Sequence, residues 1–153
     1  MAQYRPTPYG AFNYLVNLGD GSEGDVQGGF SEVSGLNAEV TVAEYRNGND
    51  PVNYVRTIPG IHKAGDVTLK RGVIGADNIY SWLEQIRNGD VTAQRDVVVK
   101  LKNEDPTSTS AVVTWTLVKA MPIKWTGPSL TAKGGGDVAI EELTLKVQTI
   151  IQS

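Results

Sequence analysis

Apolar and polar positions alternate with a period of two along most of this chain, the signature of strands with one buried face. In "AFNYLVNL", Phe12, Tyr14, Val16 and Leu18 share one side, and the glycine-rich "GDGSEGDVQGG" ends the run. "FSEVSGLNAEVTVAEYR" reads as two extended pieces with a bend near Gly35. In "GDVTLKRGV", Val67, Leu69 and Val73 alternate with Thr68 and Lys70. "RDVVVKL" and "AVVTWTLVKA" predict two more strands, joined by "KNEDPTSTS", where Asp105, Pro106 and Ser108 are turn formers. A short strand "IKW" follows Pro122, and the last strand is "AIEELTLKVQTII". In it Leu143, Leu145 and Val147 oppose Glu142, Thr144, Lys146 and Gln148, as expected for a sheet with one face toward water.

One segment has a different period. In "GADNIYSWLEQIRNGD", Ile79, Trp82, Leu83 and Ile86 fall at i, i+3, i+4 and i+7, the stripe of an amphipathic helix. Asp77 is placed to cap its start and Asn88-Gly89 to stop it, which predicts a helix over about residues 77–88. The sum is a mainly β fold, a β-barrel or sandwich with one packed α-helix. Another stretch fits neither period: "EYRNGNDPVNYVRTIPG", residues 44–60, mixes Glu44, Arg46 and Asp50 with Tyr45, Tyr54, Val55 and Ile58, and reads as a long loop with interface-like content.

Composition narrows the classes. At 153 residues the chain is expected to be one domain, with an N-terminal arm over 1–9. Its 40% hydrophobic and 20% charged content is that of a globular protein. The net charge of −3 gives no basic footprint for nucleic acid. The absence of cysteine removes disulfides, thiolate metal sites and cysteine nucleophiles. The start "MAQYRPTPYG" has no apolar core of a cleaved signal peptide, and no apolar run approaches the roughly 20 residues of a membrane helix. Synthesis and folding in the cytoplasm are expected.

Candidate chemistry is sparse. The single histidine, His62, sits beside Lys63 with no nucleophile motif to serve, and one imidazole does not build a zinc site. "GDGSEG" at 19–24 matches G-x-G-x-x-G, but no helix follows to receive phosphate, and Asp20, Glu23 and Asp25 would repel one. Those carboxylates could hold a loosely bound calcium ion, although their spacing departs from an EF-hand loop. Glu141 and Glu142 are neighbours on a strand and point to opposite faces, so they do not converge on one bond; a solvated or interface position suits them better. "AKGGGD" at 132–137 lacks the ending of a phosphate loop. Trp82 and Trp115 read as core, and Trp125 as more exposed. No catalytic residue, metal ligand or cofactor emerges. What remains is surface for other protein chains, since strands with open edges invite association unless covered.

The ordered set "FSEVSGL", "EYRNGN", "PGIHKAGDVTLKRGV" and "AIEELTL" resembles the tail-tube (inner tube) protein family of contractile phages, R-type bacteriocins and extracellular contractile injection systems. The resemblance runs from about Pro8 to Gln148. It implies a non-catalytic structural subunit that forms hexameric rings, stacked into a hollow tube inside a contractile sheath. Baseplate and tube-terminator proteins are the implied further partners, DNA or protein the cargo of the lumen, and an assembled phage tail or injection particle the destination. A specialised initiator or terminator ring of the same machine is the alternative, and a small ligand- or calcium-binding β-barrel the alternative from another class. By the same resemblance, Glu44, Tyr45, Arg46, Asn47, Asn49, Asp50, Tyr54 and Arg56 are candidates for contact between rings, and the arm is a candidate to brace a neighbour, the alternative for both being a segment folded on its own domain. The polar face of the last strand, Glu142, Thr144, Lys146 and Gln148, is the candidate lumen lining, with the opposite sign of that face left open. Ser81, Glu84, Gln85 and Arg87 on the helix are candidates to face the sheath.

Overall fold

The computed structural model describes residues 4–19, 29–108 and 110–153. Alternation places strands β1 (Tyr14–Asn17), β2 (Glu32–Ser34), β3 (Ala38–Tyr45), β4 (Arg56–Ala64), β5 (Val67–Gly72), β6 (Arg95–Lys102), β7 (Ala111–Thr126), β8 (Ile140–Lys146) and β9 (Thr149–Gln152). The helix α1 spans Asn78–Arg87 between β5 and β6. Seven strands form one antiparallel sheet in the order β1-β6-β7-β8-β5-β2, with β9 also on β7; β3 and β4 form a separate two-stranded sheet.

The in-phase residues of β1, β5, β6, β7 and β8 meet in one core, including Val16, Leu69, Val99, Leu117, Leu143 and Leu145. The sheet therefore curls around a single apolar centre. The long strand β7 makes this possible. Its first half pairs with β6 and β9, and its second half, from Met121, pairs with β8. Between them Lys119 has a φ of 51°, and its amide donates to Asp96 Oδ1 at 3.0 Å. "IKW" is thus the far end of β7 and not a strand of its own. Conversely, the predicted last strand is two strands: β8 stops at Lys146, Val147 and Gln148 turn the chain, and β9 joins the other half of β7.

The helix closes one side of the core through Ile79 and Trp82, whose indole Nε1 donates to Ala93 O at 2.7 Å. Asp77 occupies the N-cap position but makes no side-chain cap bond. Asn88 and Gly89 end the helix as expected, Gly89 with a φ of 84°. Gly35 is required between β2 and β3: its φ is 86°, and a Cβ there would lie 2.2 Å from Asp66 O. Two expected inward residues face outward. Phe12 precedes β1 and is 67% exposed, and Val73 lies past the end of β5 and is also exposed. Neither belongs to a strand, although the Val73 amide still donates to Ala139 O at 2.9 Å.

Candidate assembly surfaces

The segment read as a loop over 44–60 is the outer part of a β-hairpin running from Ala38 to Ala64. Strand propensity in "AEVTVAEY" and "RTIPGIHKA" forms its arms. The register passes from Val40 opposite His62 to Val42 opposite Pro59, so one extra residue enters β4 at Gly60-Ile61. That bulge has a consequence for the faces. Ile58 is opposite Ala43, and Ile61 flanks Thr41, so both isoleucines share the face of the odd-numbered residues of β3. Thr41 Oγ1 fixes the bulge by donating to Ile61 O at 2.9 Å, and Gly60 leaves room for it, since a Cβ there would meet Thr41 O at 2.9 Å. Every residue of β3 is exposed, as is every residue of β4 except Ala64.

The expected ring-contact residues divide into two groups. Arg46 Nε donates to Val52 O at 3.1 Å, and its Nη2 reaches Asp50 O and Asn53 Oδ1. Asp50 accepts from the Asn47 amide at 3.0 Å and pairs with Arg56 at 3.1 Å, with its own side chain almost wholly covered. Arg46, Asn47, Asp50 and Arg56 therefore organise the tip. Glu44, Tyr45, Asn49 and Tyr54 are exposed on it, Tyr45 with its hydroxyl bonded to Asn47 Oδ1.

On the sheet, Glu142 and Thr144 lie on the face of β8 away from the core, opposite Lys70 and Thr68 of β5. Lys70 Nζ stands 3.4 Å from Glu142 and 3.6 Å from Glu32; the bond to Glu142 first, and then the Glu142 and Glu32 charges, raise the ammonium pKa. Lys146 is exposed and 3.4 Å from Asp66. Gln148 is in the turn after β8, with its amide on Val118 O, so it does not belong to the strand face assigned to it. On α1, Ser81, Gln85 and Arg87 are exposed and Glu84 is half-buried, with Arg87 Nη1 2.5 Å from Glu84 Oε1.

The sequence reading missed three features. Glu141, expected to be solvated or at an interface, is 7% exposed and bonds the equally buried Arg71 directly across the β5–β8 ladder. The signal was available: Arg71 is in phase with Val67 and Leu69, and Glu141 with Leu143 and Leu145. Trp125, half-buried, donates from Nε1 to Glu141 Oε2 at 3.3 Å, and its ring meets Tyr80 edge to face. Third, within the N-terminal arm, residues 5–10 are fastened to their own domain. Arg5 stacks 3.6 Å over Tyr9 and grips Glu104 of the β6–β7 turn, which also accepts from the Gly10 amide. The Arg5 bond first, then the backbone amides of Glu104 and Gly10, hold the Glu104 carboxyl down to about 2.

Trp115, read as core, is only partly buried. It lines a groove of about 290 Å³ where the ends of the seven-stranded sheet, β1 and β2, approach without pairing among the described residues. Tyr14 bridges the gap by donating to Phe30 O at 2.7 Å, and burial, then nearby Glu32, push its hydroxyl pKa up. His62 is exposed on the hairpin opposite Val40. Asp20, Glu23 and Asp25 of "GDGSEGD" lie outside the described residues, among which no group of three or more His, Cys, Asp or Glu could hold a metal. No helix among them is long and apolar enough to cross a membrane.

A two-stranded hairpin bare on both faces is marginal by itself in water and gains its stability from contact. Together with open strand edges, this defines a subunit of a larger β assembly. The chain belongs to the T4-like virus tail tube protein gp19 family, whose model matches residues 10–151. A chain of the sheath–tube complex of the PVC extracellular contractile injection system, in the extended state, superposes with a TM-score of 0.81 at 28% identity, over 97% of this chain and 93% of that one. A chain of the anti-feeding prophage tube-terminating cap gives 0.82 at 27%, over 100% and 95%. A chain of the PVC sheath/tube terminator gives 0.80 at 28%, over 99% of both. Among curated proteins no sequence matches.

Proposed function

We propose that this chain is the repeating subunit of the inner tube of a contractile injection machine. Hexameric rings of it stack into a hollow tube that conducts DNA or protein cargo and is driven through a target envelope when the sheath contracts. The observation that carries this reading is the family match over residues 10–151, joined to near full-length similarity to chains of a sheath–tube complex. Its partners are its own copies, the surrounding sheath, and the baseplate and terminator proteins at the tube ends. The role is structural and needs no catalysis or cofactor.

Within that reading, the hairpin tip at Glu44–Arg56 contacts the next ring, with Tyr45 and Tyr54 as contact residues and Arg46 and Asp50 holding their geometry. Aromatic residues at the centre of a contact and charges at its rim suit this role. Glu142, Thr144 and Lys146 line the lumen, and Ser81, Glu84, Gln85 and Arg87 face the sheath. The arm, held on the β6–β7 turn, supports the ring edge from its own subunit.

A specialised terminator ring is the second reading, favoured by the similarity to chains of the terminating cap and the sheath/tube terminator. Negative-stain microscopy of the purified protein separates the two. Long six-fold tubes support the repeating subunit, single rings that never stack support the terminator, and a persistent monomer under varied conditions counts against both.

A further inference from the structure

Neighbouring strands of the sheet leave strand geometry side by side, along one line. β1 stops at Asn17, and Gly19 beyond it has a φ of 78°; a Cβ there would stand 3.5 Å from Asp96 O. In the β6–β7 ladder the register passes from Arg95 opposite Ala120 to Val97 opposite Leu117, so Val118 and Lys119 together face Asp96. Across β7 from the same point, Val118 pairs with Thr149 and Met121 with Lys146, and the chain turns between β8 and β9 at Val147 and Gln148. On one side of this line lie β1, most of β6, the first half of β7 and β9. On the other lie the second half of β7, β8, β5 and β2.

The bend on this line is held at one point. Two residues against one is a β-bulge, which kinks the strand that carries the extra residue. The left-handed position of such a bulge favours glycine, yet Lys119 holds it here with a φ of 51°. Lys119 has no opposite number in any of the three ladders of β7, and its amide is received by Asp96 Oδ1 at 3.0 Å. Asp96 and Lys119 are both exposed, while the next residue, Ala120, is wholly buried. The bond fills no core; it fixes the direction in which β7 continues.

We infer that the Asp96–Lys119 bulge is the joint that sets the angle between the two half-sheets, and through that angle the number of copies that close a ring. The second clause rests on the tube reading. Surface available to other copies lies on both sides of the line: the β3–β4 hairpin springs from β2 and β5, whereas the outer edge of β1 belongs to the other half. In a closed ring each copy meets its two neighbours through two different surfaces, and the angle between those surfaces decides where the ring closes. Six copies turn by roughly 60° each, and a change of roughly 10° per copy separates six from five or seven. A bend free to vary by that much would no longer specify one ring. Asp96 is in this sense a positioning residue: it acts through the path of β7.

The chain has no cysteine, so spin labels attach only where one is introduced. Ile151→Cys on β9 and Thr126→Cys at the end of β7 stand on opposite sides of the line, at exposed positions. With labelled chains diluted in unlabelled protein, pulsed EPR reads the distance within one copy. Asp96→Ala should shift that distance upward and broaden it, because a straighter β7 carries its ends further apart. Asp96→Asn, whose amide oxygen still accepts the Lys119 N–H, should restore it. Lys119→Gly should keep the wild-type distance, and Lys119→Val should lengthen it, since a β-branched residue resists a positive φ. Without labels, Asp96→Ala and Lys119→Val should give open arcs or rings of mixed copy number by native mass spectrometry, where wild type and Asp96→Asn give one. Unchanged distances in Asp96→Ala and Lys119→Val would overturn the joint and leave the angle to the helix and the core. Changed distances with a single, unchanged copy number would overturn its control of closure while the tube reading stands. A wild-type chain that never forms rings would remove the tube reading and the control of closure, and the distances would still decide the joint.

Discussion

Arg71 Nε lies 2.8 Å from Glu141 Oε1, and both side chains are buried on facing residues of β5 and β8. Arg71 also reaches Ala76 O and Asn78 Oδ1, while Glu141 receives the indole of Trp125. The pair thus joins two strands to the start of the helix and to the second half of β7. A buried ion pair gives little net stability over an apolar replacement, but removing one partner strands the other.

Arg71→Ala should therefore destabilise the domain by about 3–5 kcal/mol. Urea unfolding of dilute protein measures this. Arg71→Met combined with Glu141→Leu should cost less than half as much as the single change. A loss below about 1 kcal/mol for Arg71→Ala would mean that Glu141 escapes to water and that the network does not hold the helix.

Glu104 gives a prediction with a sign. Its folded-state carboxyl, held down to about 2 from the ordinary 4.5, favours the attached arm above pH 4.5. That contribution is lost as pH falls from 4.5 through 2. NMR titration of the Gly10 amide should report arm release with a midpoint near pH 2. In Glu104→Gln the arm should be loose already at pH 7, with no such transition. A wild-type midpoint near 4.5 would show that Arg5 does not hold the arm in solution.

The hairpin tip separates contact residues from scaffold residues. Tyr45→Ala and Tyr54→Ala should leave unfolding within about 0.5 kcal/mol of wild type, because they touch no core, yet shorten or abolish tubes. Arg46→Ala should do the same by loosening the tip. Arg46→Lys should not rescue it, because an ammonium does not reproduce the planar fork that reaches Val52, Asp50 and Asn53. Tube lengths on micrographs decide this, and unchanged lengths in all variants would move the ring contact away from the tip.

The lumen proposal predicts protection. Thr144→Cys in assembled tubes should react slowly with a thiol reagent too large to enter the bore and normally with a small one. Gln148→Cys, in the turn beyond the strand, serves as the comparison. Fast labelling of Thr144→Cys by the large reagent would place this face on the exterior.

Local pattern was enough to read the period of each strand, the helix at Ile79, Trp82 and Ile86, its stop at Asn88-Gly89 and the bend at Gly35. These depend on neighbours within a turn or two of chain, and the ordered motifs in turn pointed to the family. Strand pairing was decided only by the tertiary structure. It made one strand of "AVVTWTLVKA" and "IKW" by bending at Lys119, split the last strand at Val147, and set the loop within 44–60, residues 46–55, between the paired arms of a hairpin. It also drew Arg71 and Glu141 inward, because two opposite charges facing each other across a ladder can be buried where either alone could not. The groove under Trp115 lay beyond any reading of local pattern, since its walls come from four strands and the connection after β2, and a period of two records only which side a residue faces. What lies on that side is set by contacts far apart in sequence.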